Sequence, residues 1–138
     1  MAGELLLDTG ALVSLLDRSQ RDHAACARLF GEWDRPVVST EAVLTEATHL
    51  LGGLAGGRAA CMDFFLSGGA LLVPATRASL RRSRELVRQY ADLPMDYADA
   101  TLVVLAEELE TNLIFTTDRR DFSVYRIRGR RRFQVLPA

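Results

Sequence analysis

Five short apolar runs punctuate the chain: Leu5-Leu6-Leu7 before Asp8, Pro36-Val37-Val38-Ser39, Ala70 to Val73 closed by Pro74, Asn112 to Thr116, and Phe133-Gln134-Val135-Leu136. Runs this short and continuously apolar fit strands buried on both faces of a parallel sheet. Between them the apolar period becomes helical. Thr9 to Leu16 places Leu12, Val13, Leu15 and Leu16 on a helix that starts directly after Asp8. Arg21 to Trp33 follows, with Ala24, Ala27, Leu29, Phe30 and Trp33 on one face. Ser39 or Thr40 can cap a third helix carrying Val43, Leu44, Ala47, Leu50 and Leu51, which stops at Gly52-Gly53. Further helices are expected over about Arg58–Leu66, Ser79–Tyr90 and Asp96–Leu109, the last being the most apolar. Strands alternating with helices through short connections predict one α/β domain, residues 1–138, around a mostly parallel sheet.

The composition narrows what such a domain can do. No apolar run approaches the ~20 residues that span a bilayer. The start at Met1-Ala2-Gly3-Glu4 lacks a basic segment and a long apolar stretch, so a cytoplasmic protein is expected. Cys26 and Cys61 have no CxxC partner and read as small buried hydrophobes. All 17 basic residues are arginine. Without lysine there is no Walker-type phosphate loop and no Schiff-base chemistry. The single Glu46-Ala47-Thr48-His49 lacks the second copy that a di-iron bundle needs, and no Gly-x-Ser-x-Gly elbow exists.

The informative residues are acids in awkward places. Asp8 ends the first strand and Asp118 stands just past the fourth, so both face the carboxyl edge of the sheet, where open α/β folds bind ligands. Asp99 opens the most apolar helix, one turn after Asp96, and Glu46 lies between Leu44 and Ala47. Taken singly, Asp8 reads equally as a helix cap, Asp99 as a dipole-favoured acid, Glu46 as a polar-face residue and Asp118 as a turn residue. Brought together they would repel one another with no lysine to relieve them. A hard divalent cation, Mg²⁺ or Mn²⁺, matches an all-oxygen donor set.

These pieces, in order, resemble PIN-domain ribonucleases, and especially the VapC-type toxins of bacterial toxin–antitoxin pairs. The likeness runs from Leu5 to about Leu136. It rests on Leu7-Asp8-Thr9-Gly10-Ala11-Leu12, on Tyr97-Ala98-Asp99-Ala100, and on Thr116-Thr117-Asp118-Arg119-Arg120-Asp121-Phe122. The resemblance implies a PIN-like three-layer domain, with a central sheet flanked by helices and an acidic pocket at one edge. It implies catalytic, metal-holding roles for Asp8, Glu46, Asp99 and Asp118, with Thr9, Thr116, Asp96 and Asp121 in support. The activity implied is a Mg²⁺- or Mn²⁺-dependent endoribonuclease hydrolysing phosphodiester bonds.

The implied partners are an RNA, transfer RNA among the candidates, and a cognate antitoxin, with the chain itself a homodimer. Arg119 and Arg120, and the stretch from Arg126 to Arg132, are candidate cations to offset the pocket's charge toward RNA, and read equally as a solvated terminal hairpin. Each of Leu29, Phe30, Trp33, Leu50, Leu51, Phe64 and Phe65 can fill the core, but as a set the apolar surplus is expected to mark an interface. Two other readings of the same family stay open: a non-catalytic PIN-fold interaction module, and a PIN nuclease in RNA maturation or DNA repair.

Overall fold

The computed structural model of the chain describes residues 3–138. The central sheet has five strands, all parallel: β1 (Leu5–Leu7), β2 (Val37–Thr40), β3 (Leu71–Val73), β4 (Leu113–Phe115) and, after a separate two-stranded hairpin, β7 (Gln134–Leu136). Their spatial order is β3-β2-β1-β4-β7. β1 pairs β2 with Leu5 opposite Val37, and pairs β4 with Leu5 opposite Leu113. The chain therefore builds outward from β1 on one side, then crosses over and builds outward on the other. The reversal point lies between β1 and β4, and its carboxyl edge is where open parallel sheets bind ligands.

Seven helices connect these strands: α1 (Thr9–Leu16), α2 (His23–Glu32), α3 (Glu41–Leu50), α4 (Gly57–Leu66), α5 (Arg77–Gln89), α6 (Tyr97–Leu109) and α7 (Arg119–Val124). α1 packs on α2 and α3, α3 on α4, and α5 on α6. Leu5, Leu6 and Leu7 have no exposed surface, so β1 is the spine of the core. α6 carries a buried run from Leu102 to Glu107 and lies against β1 and β2. Among the described residues no helix is long and apolar enough to cross a membrane.

The elements follow local chemistry. Thr40 caps α3 by accepting the Val43 N–H, and Asp96 caps α6 by accepting the Asp99 N–H at 2.8 Å. Gly10 at the start of α1 lets the loop after β4 approach closely, since a Cβ there would force the Thr117 hydroxyl to move. The segment Asp118-Arg119-Arg120-Asp121, readable as a turn, is instead the opening of α7. Asp118 accepts the Asp121 N–H at 3.1 Å, a bond that serves a turn or a helix cap alike. The arginine stretch folds as a hairpin of β5 (Arg126–Ile127) and β6 (Arg131–Arg132).

The apolar surplus expected at an interface is largely absorbed. Leu51 is buried, and Leu29, Phe30, Trp33, Phe64 and Phe65 pack partly buried on the core. Phe30 meets Phe64 at 5.4 Å between α2 and α4. Of that set Leu50 alone is exposed; the other exposed large side chains include Leu66, Leu71 and Leu80. Cys26 and Cys61 are free and buried.

Candidate active site

Asp8 leaves β1 at the reversal point, only 6 % exposed. It stands at the N-cap position of α1, yet its carboxylate makes no cap hydrogen bond. It is turned instead across the sheet, where the Thr116 hydroxyl donates to its Oδ2 at 2.6 Å. Thr116, itself buried, accepts the Asp118 N–H through the same oxygen at 2.9 Å. One hydroxyl thus joins the first acid to the backbone of the fourth. Burial raises the Asp8 carboxyl to about 6 against the lowering by the Thr116 hydroxyl and the Thr9 backbone N–H, and the charges of Asp118 and Glu46 raise it further.

Asp99 approaches from the first turn of α6. Tyr125, fully buried just after α7, donates its hydroxyl to Asp99 Oδ2 at 2.9 Å. Burial, then the charges of Asp8 and Asp96, push the Asp99 carboxyl up to about 8, and the tyrosine only partly opposes them. The Tyr125 hydroxyl is pushed far up in turn, by burial and by the adjacent carboxylate. Tyr125 stands edge-on to Tyr90 and Phe122, with ring centres 5.1 and 5.2 Å away. These contacts fix the ring that positions Asp99.

Glu46 enters from α3, half-buried. Its carboxyl is raised by burial and by Asp96, against a lowering by the Thr9 hydroxyl. Thr9 Oγ1 faces this group from the start of α1 without a hydrogen bond of normal geometry, a buried hydroxyl left unpartnered. Asp121 sits at the margin, raised by burial and by Asp118. The structure therefore brings Asp8, Glu46, Asp99, Asp118, Thr9, Thr116, Asp96 and Asp121 into one neighbourhood. Asp96 and Asp118 also cap α6 and α7. No arginine is within ion-pair distance of any of these acids among the described residues.

The acids do not stand as a finished ligand cage. No three His, Cys, Asp or Glu side chains among the described residues are gathered closely enough to coordinate one ion as they stand. What suits a hard cation here is the chemistry of the donors: carboxylate oxygens gathered around the buried Asp8, mutually repelling and, among the described residues, without an arginine in ion-pair reach, beside an unpartnered hydroxyl. Beside them a groove of about 770 Å³ opens between α3, α5 and α6, bordered by Glu46, His49 and Tyr97.

The expected cations divide. Arg119 and Arg120 are exposed on the first turn of α7, beside Asp118 and Asp121, and Arg120 lowers the Asp121 carboxyl. The hairpin arginines are not brought to the pocket. Arg128 binds Glu107, eight residues along α6 from Asp99, about 12 Å at helical rise. Two features escaped the sequence. Tyr125 lies outside any periodic segment, and nothing local signals its bond to Asp99. The Arg82–Glu107 pair, at 2.9 Å, joins residues 25 apart on different helices.

A PIN-domain family profile matches residues 5–127. The chain is 33% identical over 135 residues to Ribonuclease VapC26 of Mycobacterium tuberculosis, covering 96% of this chain and all of that one. Its fold is similar to the crystal structure of M. tuberculosis VapC20, described as a sarcin-ricin loop cleaving toxin (TM-score 0.78, 19% identity, 84% of this chain and 91% of that one). It is also similar to a toxin–antitoxin complex from Klebsiella pneumoniae (TM-score 0.64, 19% identity, 87% and 91%). A third likeness is to VapBC2 of Rickettsia felis bound to a promoter DNA fragment (TM-score 0.65, 14% identity, 96% and 98%). An extended family match, a full-length relative and a similar fold agree: the chain belongs to the PIN-domain family, within its VapC group.

Proposed function

We propose that this chain is a metal-dependent endoribonuclease, the toxin of a toxin–antitoxin pair, in which Asp8, Glu46, Asp99 and Asp118 hold one or more Mg²⁺ or Mn²⁺ ions. The observation that carries the reading is Asp8, a buried carboxylate at the sheet's reversal point with no cation beside it. A lone buried charge is costly, and a fold that keeps several together has to be relieved from outside. When bound, a divalent ion supplies that charge and acts as a Lewis acid toward a phosphodiester.

The remaining work falls to the chain. Thr116 orients Asp8 and ties it to the Asp118 backbone. Tyr125 orients Asp99, and Glu46 with Asp96 closes the α3 side. Arg120, and Arg119 with the part of its guanidinium not given to the Pro137 carbonyl, stand at the rim as donors for phosphate oxygens. An enzyme of this kind works in the cytoplasm with its RNA.

Two partners belong to the same proposal. The antitoxin is supported by the likeness to a toxin–antitoxin complex, and a homodimer by apolar side chains left uncovered, among them Leu50, Leu66 and Leu71.

The test is RNA cleavage by the purified chain with Mg²⁺, with Mn²⁺ and with chelator. Cleavage restricted to the metal-containing samples is expected. Equal cleavage in chelator would overturn the metal, and no cleavage under any condition would favour the interaction module.

A further inference from the structure

Five arginines crowd into seven residues, Arg126 to Arg132, on a hairpin that the proposed site does not use. Its shape is sharply defined. Arg128 and Gly129 both have positive φ, 52° and 73°, and the Arg130 N–H donates to the Ile127 carbonyl at 3.1 Å, a type I′ turn. Left-handed backbone is unfavourable for arginine, and Glu107 holds it there. The Arg128 N–H donates to Glu107 Oε2 at 3.2 Å and its guanidinium to the Glu107 carbonyl at 3.0 Å. Ile127 and Phe133 anchor the two ends in the core. The hairpin is a rigid platform rather than a loose tail.

Not all of its cations are free. Arg126 turns back to the Ser123, Val124 and Tyr125 carbonyls, and Arg128 is committed to Glu107. Arg130, Arg131 and Arg132 remain exposed and consecutive. Arg131 donates to the neutral Asn112 Oδ1 at 3.1 Å, and among the described residues no acid pairs with any of the three. The register also sets Arg132 opposite Arg126, a like-charge pair that works against the hairpin. Such a concentration of positive charge suits a polyanion, and guanidinium forks match phosphate oxygens. A protein partner would bury apolar side chains beside the charges. Here the exposed large apolar residues lie on other elements, Val124 at the end of α7 being the nearest in sequence.

The position is as telling as the charge. Asn112, which holds Arg131 and the Arg132 carbonyl, precedes β4, whereas Thr116, which holds Asp8, follows it. Roughly 13 Å of strand separates the two, with the arginines at the amino edge of the sheet and the acids at the carboxyl edge. We propose that Arg130, Arg131 and Arg132 form a second RNA-contact surface, gripping the phosphodiester backbone several nucleotides away from the bond presented to the acids. The proposal rests on the ribonuclease reading, and it means that productive substrates are long enough to reach both edges.

Binding is read on the Asp8→Asn chain, so that cleavage does not intervene. The probes are a folded RNA of about forty nucleotides, a five-nucleotide RNA and a polyglutamate peptide, each across a salt series. Arg130→Gln/Arg131→Gln/Arg132→Gln is expected to weaken the long RNA roughly tenfold or more and to flatten its log K against log salt slope by about 2. The five-nucleotide RNA should be unaffected, both in binding and in cleavage by the chain with Asp8 intact. Arg130→Gln alone, whose side chain makes no hydrogen bond or ion pair among the described residues, should show a smaller loss of the same sign and guards against misfolding of the triple variant. Unchanged affinity and slope for the long RNA would overturn the surface. Polyglutamate bound as tightly as the RNA, with the same loss in the triple variant, would reassign it to an acidic protein. Failure of the intact chain to cleave any RNA would instead overturn the nuclease reading, because binding is measured separately.

Discussion

Asp8 binds its proton more tightly in the native fold than in the unfolded chain, because burial and its acidic neighbours oppose its charge. Its carboxyl rises from 3.8 to about 6, and that of Asp99 from 3.8 to about 8. A raised acid contributes stability that is complete below its unfolded value and is lost as pH climbs through the folded one. Metal-free protein should therefore lose stability between about pH 4 and pH 8, and for buried Asp8 the loss is on the order of 3 kcal/mol. Asp8→Asn keeps the shape and an acceptor for Thr116 while removing the charge. It should melt no lower than the parent at pH 8 without metal, yet lose roughly 10²-fold or more in RNA cleavage. Melting curves and a cleavage assay on the same preparation check both halves. A large loss of stability would make Asp8 a structural residue. Asp8 was legible in the sequence because a charge directly after three leucines is conspicuous. Tyr125 was not, since its bond to Asp99 spans 26 residues and depends on how α7 returns to α6.

At the scale of elements, α6 supports both edges of the molecule. Its first turn presents Asp99, and its last turns present Glu107, which joins α5 and the hairpin. Arg82 donates to both Glu107 oxygens at 2.9 Å, and Arg128 adds its backbone N–H. The Glu107 carboxyl is consequently held below its usual range, despite burial that acts the other way. The sign is opposite to Asp8: this stability is present above the unfolded value and is lost as pH falls through the folded one. Arg82→Ala strands a nearly buried carboxylate and should cost roughly 2–3 kcal/mol, read as a lower denaturation midpoint. Retention of the parent midpoint would show that the pair is replaceable. Because the change lies away from the acids, cleavage by the fraction still folded should persist. The main strands and helices were readable because each carries its own period or cap. α7 was not, because Asp118-Arg119-Arg120-Asp121 serves a turn as well as a helix start. The destination of the arginines was also hidden, since Arg126 to Arg132 states a charge density but not which edge of the sheet receives it.

Over the whole molecule, a net charge of −1 conceals a division between the two edges. Acids gather at the carboxyl edge of the parallel strands, and the free arginines of the hairpin lie at the amino edge. Burial and mutual repulsion favour the protonated forms of Asp8 and Asp99, so metal binding at this edge would be coupled to pH, because ligands must deprotonate. Asp99, with its carboxyl at about 8, carries its proton at pH 7. Calorimetric titration of the chain with Mn²⁺ at pH 7, in two buffers of different ionisation enthalpy, counts the protons that leave. Binding accompanied by release of about one proton per ion, abolished in Asp99→Asn, is expected. Mn²⁺ that does not bind, or that binds with no proton released, would contradict the assignment of these acids as a metal centre.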